Sequence, residues 1–172
     1  TEYLFYVGQR DLACHLIKGE KGMAIIDSGM PQSASLIIEN IKILGLDPKQ
    51  IKYILLTHSH VDHLGGADRI REISGAQIVV GERDVNMAEH PETDWGYKGF
   101  KIDRALKHLD VIDLGDIKIT CHHTPGHTVG TISYSFNLPF EGKMLTGGLF
   151  GGHGLDSIDS ERSAKIFSAT LD

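Results

Sequence analysis

A single histidine-rich stretch of the 172-residue chain decides the fold, and it reads Thr57-His58-Ser59-His60-Val61-Asp62-His63-Leu64-Gly65-Gly66. It follows directly on an aliphatic run that predicts a buried strand. In an extended segment, residues two apart point the same way, so His58 and His60 can hold one ion between them. If the chain turns into a helix there, Asp62 and His63 face a neighbouring position. Imidazole nitrogens with a carboxylate oxygen form a ligand set that zinc or iron takes readily, so the stretch predicts a metal site.

A second histidine signal lies further along the chain, in Thr124-Pro125-Gly126-His127-Thr128-Val129-Gly130. The Pro-Gly pair predicts a tight turn directly before His127. A histidine after a turn is often structural by itself. Because the first stretch already predicts an ion at His58 and His60, we expect His127 to supply its third imidazole.

Composition and charge narrow the functional classes. The chain has 17 basic and 23 acidic residues, a formal net charge of −6, which disfavours a nucleic-acid partner. No apolar run approaches the roughly 20 residues that span a bilayer, and no signal peptide is visible at the first residue. Cys14 and Cys121 are too few and too far apart for a disulfide scaffold or a cysteine-only zinc site. We expect a cytoplasmic protein without a membrane partner, built as one domain over residues 1–172; the oligomeric state is left open.

Hydrophobic periodicity gives a coarse order of elements. Strands and helices alternate in the first half of the chain and strands cluster in the second, which predicts an α/β architecture. The predicted strands cover 3–7, 12–17, 23–26, 52–56, 76–80, 111–114, 117–121, 131–136 and 143–145, and the predicted helices cover 32–44, 65–73, 82–89 and 159–171. Residues 90–105 are predicted to be irregular.

The two histidine motifs together resemble the metallo-β-lactamase superfamily, particularly its glyoxalase-II-like branch. The Asp27-Ser28-Gly29 turn after a short strand is similar to another element of that family. The resemblance spans about residues 3–171 and implies an αββα sandwich with the metals at one edge of two packed sheets. It implies that the first metal is held by His58, His60 and His127, and that Asp62 and His63 are ligands of the second.

The chain departs from the family pattern in two places. The family's next motif carries an Asp that bridges both metals, and the corresponding position here is Gly147 in one alignment and Gly148 in another. The family's last histidine ligand would follow a helix ending near Leu171, so the chain is interpreted as C-terminally shortened. His153, Asp156, His122 and His123 are weaker candidates for substitute ligands. The second site is therefore expected to be incomplete, with one or two Zn²⁺ ions bound and iron as an alternative metal.

The resemblance implies a metal-dependent hydrolase acting on a small-molecule substrate. In that family, hydroxide on the metal attacks an ester, thioester or lactam-like carbonyl, and Asp62 would orient the nucleophile or accept its proton. Two rival hypotheses remain open. One is an iron-binding redox or oxygen-sensing domain similar to flavodiiron proteins or sulfur dioxygenases, and the other is a degenerate, non-catalytic metal-binding module. Nuclease members of the superfamily are disfavoured by the acidic charge.

The roles predicted for other residues depend on their neighbours in the sequence. Trp95, Tyr97 and Phe100 lie in the irregular segment and are candidates for either a substrate wall or a self-packed cluster. Surface or core roles are predicted for the isolated histidines His15, His90 and His108, and packed core positions are predicted for Cys14 and Cys121.

Overall fold

The computed structural model describes residues 2–92 and 96–152, which form two stacked β-sheets with helices on the outer face of one sheet. The strands of this part of the chain are Leu4–Tyr6 (β1), His15–Gly19 (β2), Gly22–Ile26 (β3), Ile51–Leu55 (β4), Gln77–Gly81 (β5), Arg104–Leu106 (β6), Val111–Asp113 (β7), Lys118–His123 (β8), Ile132–Phe140 (β9) and Lys143–Leu149 (β10). Its α-helices are Ser33–Ile43 (α1), Val61–Leu64 (α2), Ala67–Ser74 (α3) and Val85–Glu89 (α4), with 3₁₀ turns at Pro48–Gln50 and Glu82–Asp84.

The first sheet has the strand order β1-β2-β3-β4-β5-β6. Its first three strands are antiparallel, and β3 to β6 run parallel. Both faces of β3 are covered, because Ile25 packs among the helices while Ala24 and Ile26 pack toward the second sheet. This double burial explains why the strand reads as a continuous apolar run rather than an alternating one.

Helix α1 covers the outer face of the first sheet. Its buried side chains include Ala34, Ile37, Ile38 and Ile41, which recur at the three- and four-residue spacing of one helix face. The helix ends at Ile43, and Gly45, two residues later, has a φ of 75°, the left-handed conformation that favours glycine. Its apolar stripe therefore anchors the helical layer to the sheet.

The second sheet is antiparallel throughout, in the order β10-β9-β8-β7. Tyr134, Phe136 and Leu138 on β9 alternate toward the first sheet and fill the core between the two sheets. The buried Tyr134 hydroxyl donates to the carbonyl of Leu56 at 2.8 Å, which ties the sheets together beside the histidine stretch. The described residues thus form helix, sheet and sheet layers. The helix predicted for 159–171 lies outside them.

Most predicted elements are confirmed, with some differences in extent. The predicted first hairpin is present, with Leu4 opposite Ile17, and the predicted bend into a helix after His60 is α2. The segment predicted to be irregular contains the short strand β6, which pairs with β5 far away in sequence. Strand β10 runs on to Leu149, four residues beyond its predicted end. No helix among the described residues is long and apolar enough to cross a bilayer.

Candidate metal centre

The residues of the site follow the parallel strands of the first sheet. Asp27 comes directly after β3, His58 lies three residues after the end of β4, and Asp84 lies beyond β5. The carboxyl ends of parallel strands meet at one edge of a sheet, which is where open α/β sheets place their ligands. The loop between β8 and β9 brings His127 to the same edge from the second sheet.

Three histidines converge at this edge. One ligand atom from each of His58, His60 and His127 lies within 4.8 Å of the others. The three rings are mutually close, with centroids 4.4 to 4.7 Å apart. His60 Nδ1 and His127 Nε2 are 3.0 Å apart. That distance is near the about 3.3 Å expected between two nitrogens that bind one tetrahedral zinc at about 2.0 Å.

His58 is oriented so that one nitrogen is left for a ligand. Its Nδ1 lies 3.0 Å from the carbonyl of Gly151, which can only accept, so Nδ1 carries the proton. Its Nε2 then holds a lone pair, and this buried atom has no hydrogen-bond partner among the described residues. A buried nitrogen without a partner is costly unless it binds something, so the residues present fit a divalent cation.

Two histidines of the cluster, His58 and His60, are held in their neutral, ligating form. Burial lowers the pKa of His58, and the neighbouring imidazoles His63, His127 and His60 lower it further. Burial also lowers the pKa of His60, with His127 acting in the same direction. Since imidazole binds a metal only when it is unprotonated, these shifts favour metal binding near neutral pH.

Asp62 and His63 lie next to this cluster, in the first turns of α2, and are not part of the three-histidine group. His63 Nδ1 donates a hydrogen bond of 2.8 Å to Asp27 Oδ2. His63 Nε2 lies 3.6 Å from Asp62 Oδ2. Burial works to lower the pKa of His63, but the hydrogen bond and charge of Asp27, with the charge of Asp62, outweigh it and raise the pKa.

Asp27 is a buried support beneath the site. Its carboxylate accepts from the backbone N–H of Thr57 at 2.8 Å and from the Thr57 hydroxyl at 2.8 Å. Asp27 has a φ of 61°, a strained conformation for a residue other than glycine, although aspartate tolerates it better than most. This strained turn places one carboxylate against both the start of the histidine stretch and His63.

Asp84 joins the two histidine motifs. Its buried carboxylate accepts from Ser59 N at 3.1 Å, Thr128 Oγ1 at 2.7 Å and Gly130 N at 2.8 Å. Burial raises the pKa of Asp84, and these hydrogen bonds oppose that rise. A Cβ at Gly130 would lie 2.5 Å from Asp84 Oδ1, so the close approach requires glycine. One carboxylate therefore fixes the loop carrying His58 and His60 relative to the loop carrying His127.

Two cavities open at the site, and Asp62 lines both. The larger, of about 720 Å³, includes His60 and apolar residues of the segment around α4. The smaller, of about 510 Å³, includes His58, His63 and His127. His15, interpreted from sequence as a surface or core residue, lines this smaller cavity.

The register of β10 decides which of its side chains faces the site. Gly147 pairs with Phe136 and has no room, since a Cβ there would lie 2.5 Å from that ring. Gly148, one residue on, points to the opposite face of the sheet. Leu149 is the β10 residue that lines the smaller cavity. The β10 side chain that faces this cavity is therefore a leucine and not a carboxylate, and neither Gly147 nor Gly148 has a positive φ.

The remaining sequence candidates divide into three groups. His122 and His123 hydrogen-bond to Ser135 Oγ and the Val129 carbonyl and do not join the metal cluster. Of the aromatic residues, Tyr97 lines the larger cavity, whereas Phe100 is buried in the core beneath the helices. Predictions were also made for Trp95, His153, Asp156 and the final helix, and these residues lie outside the part of the chain that the structure describes.

Comparison with known proteins identifies the family. The family model described as "Metallo-beta-lactamase superfamily" matches residues 8–139, well over half of the chain. The chain belongs to the metallo-beta-lactamase superfamily. Its structure superposes on BJP-1, a subclass B3 metallo-beta-lactamase of Bradyrhizobium japonicum, with a TM-score of 0.89 and 32% sequence identity. That match covers 98% of this chain and 69% of BJP-1.

Curated relatives of this metallo-beta-lactamase superfamily chain carry several activities. The hydroxyacylglutathione hydrolase GloC of Haemophilus influenzae is 32% identical over 150 residues, covering 80% of this chain and 68% of GloC. The N-acyl homoserine lactonase AttM of Azorhizobium caulinodans is 32% identical over 63% of this chain and 44% of AttM. The chain spans 36% of a probable metallo-hydrolase of Burkholderia pseudomallei. The named similar proteins thus include a lactamase, a lactonase and a hydroxyacylglutathione hydrolase.

Two residues that support this metallo-beta-lactamase site, Asp27 and Asp84, were not predicted from the sequence to be functional. In the sequence, Asp27 belongs to a turn that is similar to an element of the family, but the turn alone gives its carboxylate no role. Asp84 lies in an ordinary polar run, Gly81-Glu82-Arg83-Asp84, that contains no such element. Its role depends on contacts with residues 25 and 46 positions away, which no local pattern reveals.

Proposed function

We propose that the protein is a metal-dependent hydrolase that holds a zinc ion at His58, His60 and His127 and cleaves an ester, thioester or lactam-like carbonyl. The observation that carries the proposal is the convergence of three imidazoles around the buried Nε2 of His58, which has no hydrogen-bond partner among the described residues. Membership of a superfamily whose named relatives include lactamases, lactonases and hydroxyacylglutathione hydrolases supports the reaction class.

The roles of the metal ion and of the surrounding residues follow from the three imidazole ligands. A zinc ion supplies Lewis acidity, which activates water near neutral pH and polarises a substrate carbonyl. Three imidazoles leave a tetrahedral ion one open position, the pattern of a catalytic rather than a structural site. The hydrogen bonds of His58 Nδ1 to the Gly151 carbonyl and of His63 Nδ1 to the Asp27 carboxylate hold both rings in fixed orientations.

Asp62 is the candidate proton acceptor. Its side chain is 44% exposed and lines both cavities next to the histidine cluster, so it reaches solvent and substrate together. In the proposed reaction the water oxygen bonds to the carbonyl carbon and Asp62 takes the water proton. The bond to the leaving oxygen, nitrogen or sulfur then breaks, and the leaving atom takes a proton. His63 lies beside Asp62 as a further polar group and as the candidate ligand of any second ion.

Metal analysis tests the proposal. Protein purified without added metal, and variants His60→Ala and His127→Ala, would be compared by elemental mass spectrometry. We expect close to one zinc per chain in the native protein and a loss of at least tenfold in zinc affinity in both variants. His122→Ala is the matched control, because His122 hydrogen-bonds to Ser135 on the second sheet away from the cluster. Equal zinc loading in all four proteins would refute the assignment.

Activity and metal identity complete the test. Zinc-loaded protein is expected to hydrolyse simple thioesters, lactones or lactams, and Asp62→Asn is expected to lower kcat at least a hundredfold while zinc content stays constant. Iron with visible absorbance in the purified protein would favour the redox alternative instead. Stoichiometric zinc without hydrolysis of any of these substrate classes would favour a non-catalytic module.

A further inference from the structure

The larger cavity beside the metal centre has a distinctly apolar wall. Met30, Val61, Met87, Pro91 and Tyr97 all line it. Building on the proposed hydrolase, we propose that this cavity is a subsite for an uncharged, apolar acyl group of the substrate. The acyl group is the part of an ester or thioester that stays attached to the carbonyl carbon when the leaving group departs.

The position of the cavity links it to the reacting carbonyl. His60 and Asp62 belong both to the cavity lining and to the metal centre. A carbonyl placed against the histidine cluster therefore has an adjoining space for one of its two substituents. The smaller cavity, which Asp62 also lines, has a mixed lining in which Asp11 and His15 offer the leaving group polar partners.

Charge determines which acyl groups this subsite accepts. Its charged lining residues are the carboxylates Asp62 and Glu92, and no lysine or arginine lines it among the residues that the structure describes. An acyl group ending in a carboxylate would meet these two like charges in a partly desolvated space, with no lysine or arginine among the described lining residues to pair with it. An alkyl chain or an aromatic ring instead gains by leaving water for the apolar wall.

The volume suits a medium-length chain. About 720 Å³ falls within the range of about 300 to 1,000 Å³ that small-molecule pockets occupy. Each methylene group buried against the wall is expected to raise kcat/KM roughly threefold until the cavity is filled. From an acetyl to a hexanoyl group, which adds four methylenes, we therefore expect a rise of roughly 80-fold.

A series of thioesters that differ only in the acyl group tests the subsite. The zinc-loaded full chain would be assayed with acetyl, butyryl, hexanoyl and octanoyl thioesters and with succinyl and adipoyl thioesters, whose acyl groups carry a carboxylate. Hydrolysis breaks the carbon–sulfur bond, adds the water oxygen to the carbonyl carbon and releases the thiol. We expect kcat/KM to rise along the alkyl series and to be at least tenfold lower for adipoyl than for hexanoyl thioester.

A charge reversal inside the cavity supplies the second measurement. Glu92→Lys is expected to raise kcat/KM for the adipoyl thioester at least fivefold relative to the hexanoyl thioester. Glu82→Lys makes the same charge change at an exposed residue that does not line the cavity, and we expect it to leave the ratio unchanged. An equal effect of both variants would mean that net charge alone sets the preference, which would overturn the subsite.

Failure of the subsite and failure of the hydrolase give different results. Equal hydrolysis of all the thioesters, or a preference for succinyl, would refute the subsite and leave the hydrolase standing. If no thioester is hydrolysed by protein that holds stoichiometric zinc, the thioesterase activity fails. Calorimetric titration with hexanamide and with the monoamide of adipic acid then decides the subsite by itself. Tighter binding of hexanamide supports the apolar subsite, and no difference between the two overturns it.

Discussion

Replacing Asp84 by asparagine should loosen the metal centre without touching a ligand. The aspartate accepts three hydrogen bonds through its two oxygens, from Ser59 N, Thr128 Oγ1 and Gly130 N. Asparagine keeps the shape but has one acceptor oxygen, and its NH₂ group points at a donor in either orientation. With the amide oxygen in place of Oδ2, the N–H of Gly130 loses its partner. With the opposite orientation, two donors lose theirs.

The cost follows from the better of these orientations. One buried N–H left without an acceptor costs about 1–3 kcal/mol, and the remaining bonds lose their charge assistance. We therefore expect Asp84→Asn to lower the free energy of unfolding of the metal-free protein by about 2–3 kcal/mol. Because Asp84 aligns both histidine loops, zinc affinity is expected to fall roughly 10- to 100-fold, as for other groups that orient metal ligands.

The assay pairs two measurements with a matched control. Urea unfolding in the presence of a chelator reports the stability, and competition with a chromophoric chelator reports zinc affinity. Asp103→Asn is the control, because Asp103 also accepts from a backbone N–H, that of Ile78 at 2.8 Å, yet lies away from the histidines. The control should lose about 1 kcal/mol and keep its zinc affinity. If Asp84→Asn binds zinc within twofold of the native protein, Asp84 is a structural residue only and the reasoning fails.

Three further predictions concern other parts of the chain. Since the folded state raises the pKa of His63 above the unfolded value of 6.5, the stabilisation it gives is complete below that value and lost as pH rises through the folded pKa. The stability difference between metal-free native protein and His63→Gln should therefore shrink with rising pH; a constant difference would contradict this. Burial raises the pKa of Cys14 and Cys121 to about 12, so a disulfide reagent at pH 8 should modify both thiols in urea and neither in folded protein. Leu149→Asp should raise bound zinc above the native stoichiometry, measured by mass spectrometry on folded protein; an unchanged stoichiometry would mean that no second ion can use this face of β10.

Helices and strands whose hydrophobic pattern is visible within a short stretch of sequence could be predicted. Helix α1 shows its apolar face at helical spacing, and β4 is a compact aliphatic run, so both were placed within two residues. The short strand β6 was missed because its sequence, Arg104-Ala105-Leu106, has no strand preference of its own. It is a strand because it pairs with the edge of β5, and pairing over that distance leaves no trace in a local window.

The candidate site likewise contains some residues that the sequence identifies and others that only the fold reveals. His58, His60 and His127 could be named because metal ligands are chemically distinctive and their spacing within a motif is short. The prediction that they share an ion remains to be tested, although the structure brings them together. Asp27 and Asp84 are ordinary acids in the sequence, and their importance comes from what the fold packs against them. Supports of this kind are visible only once the chain is folded.

The pairing register of β10 shows how a sequence alignment and a sheet can disagree about one residue. Alignment on the Leu-Phe pair assigns the bridging position to Gly147, and the alternative alignment assigns it to Gly148. In a strand, a shift of one residue moves a side chain to the opposite face, so the two alignments predict opposite sides of the sheet. The pairing of Gly147 with Phe136 and of Leu149 with Tyr134 places these two residues on the face toward the core. Gly147 is blocked there by the Phe136 ring, which leaves Leu149 as the β10 side chain in the metal cavity. An apolar residue at that point supplies no ligand to a second cation. The site thus has imidazole donors on the His58, His60 and His127 side and an apolar side chain on the β10 side, and we therefore propose that the three imidazoles hold a single ion.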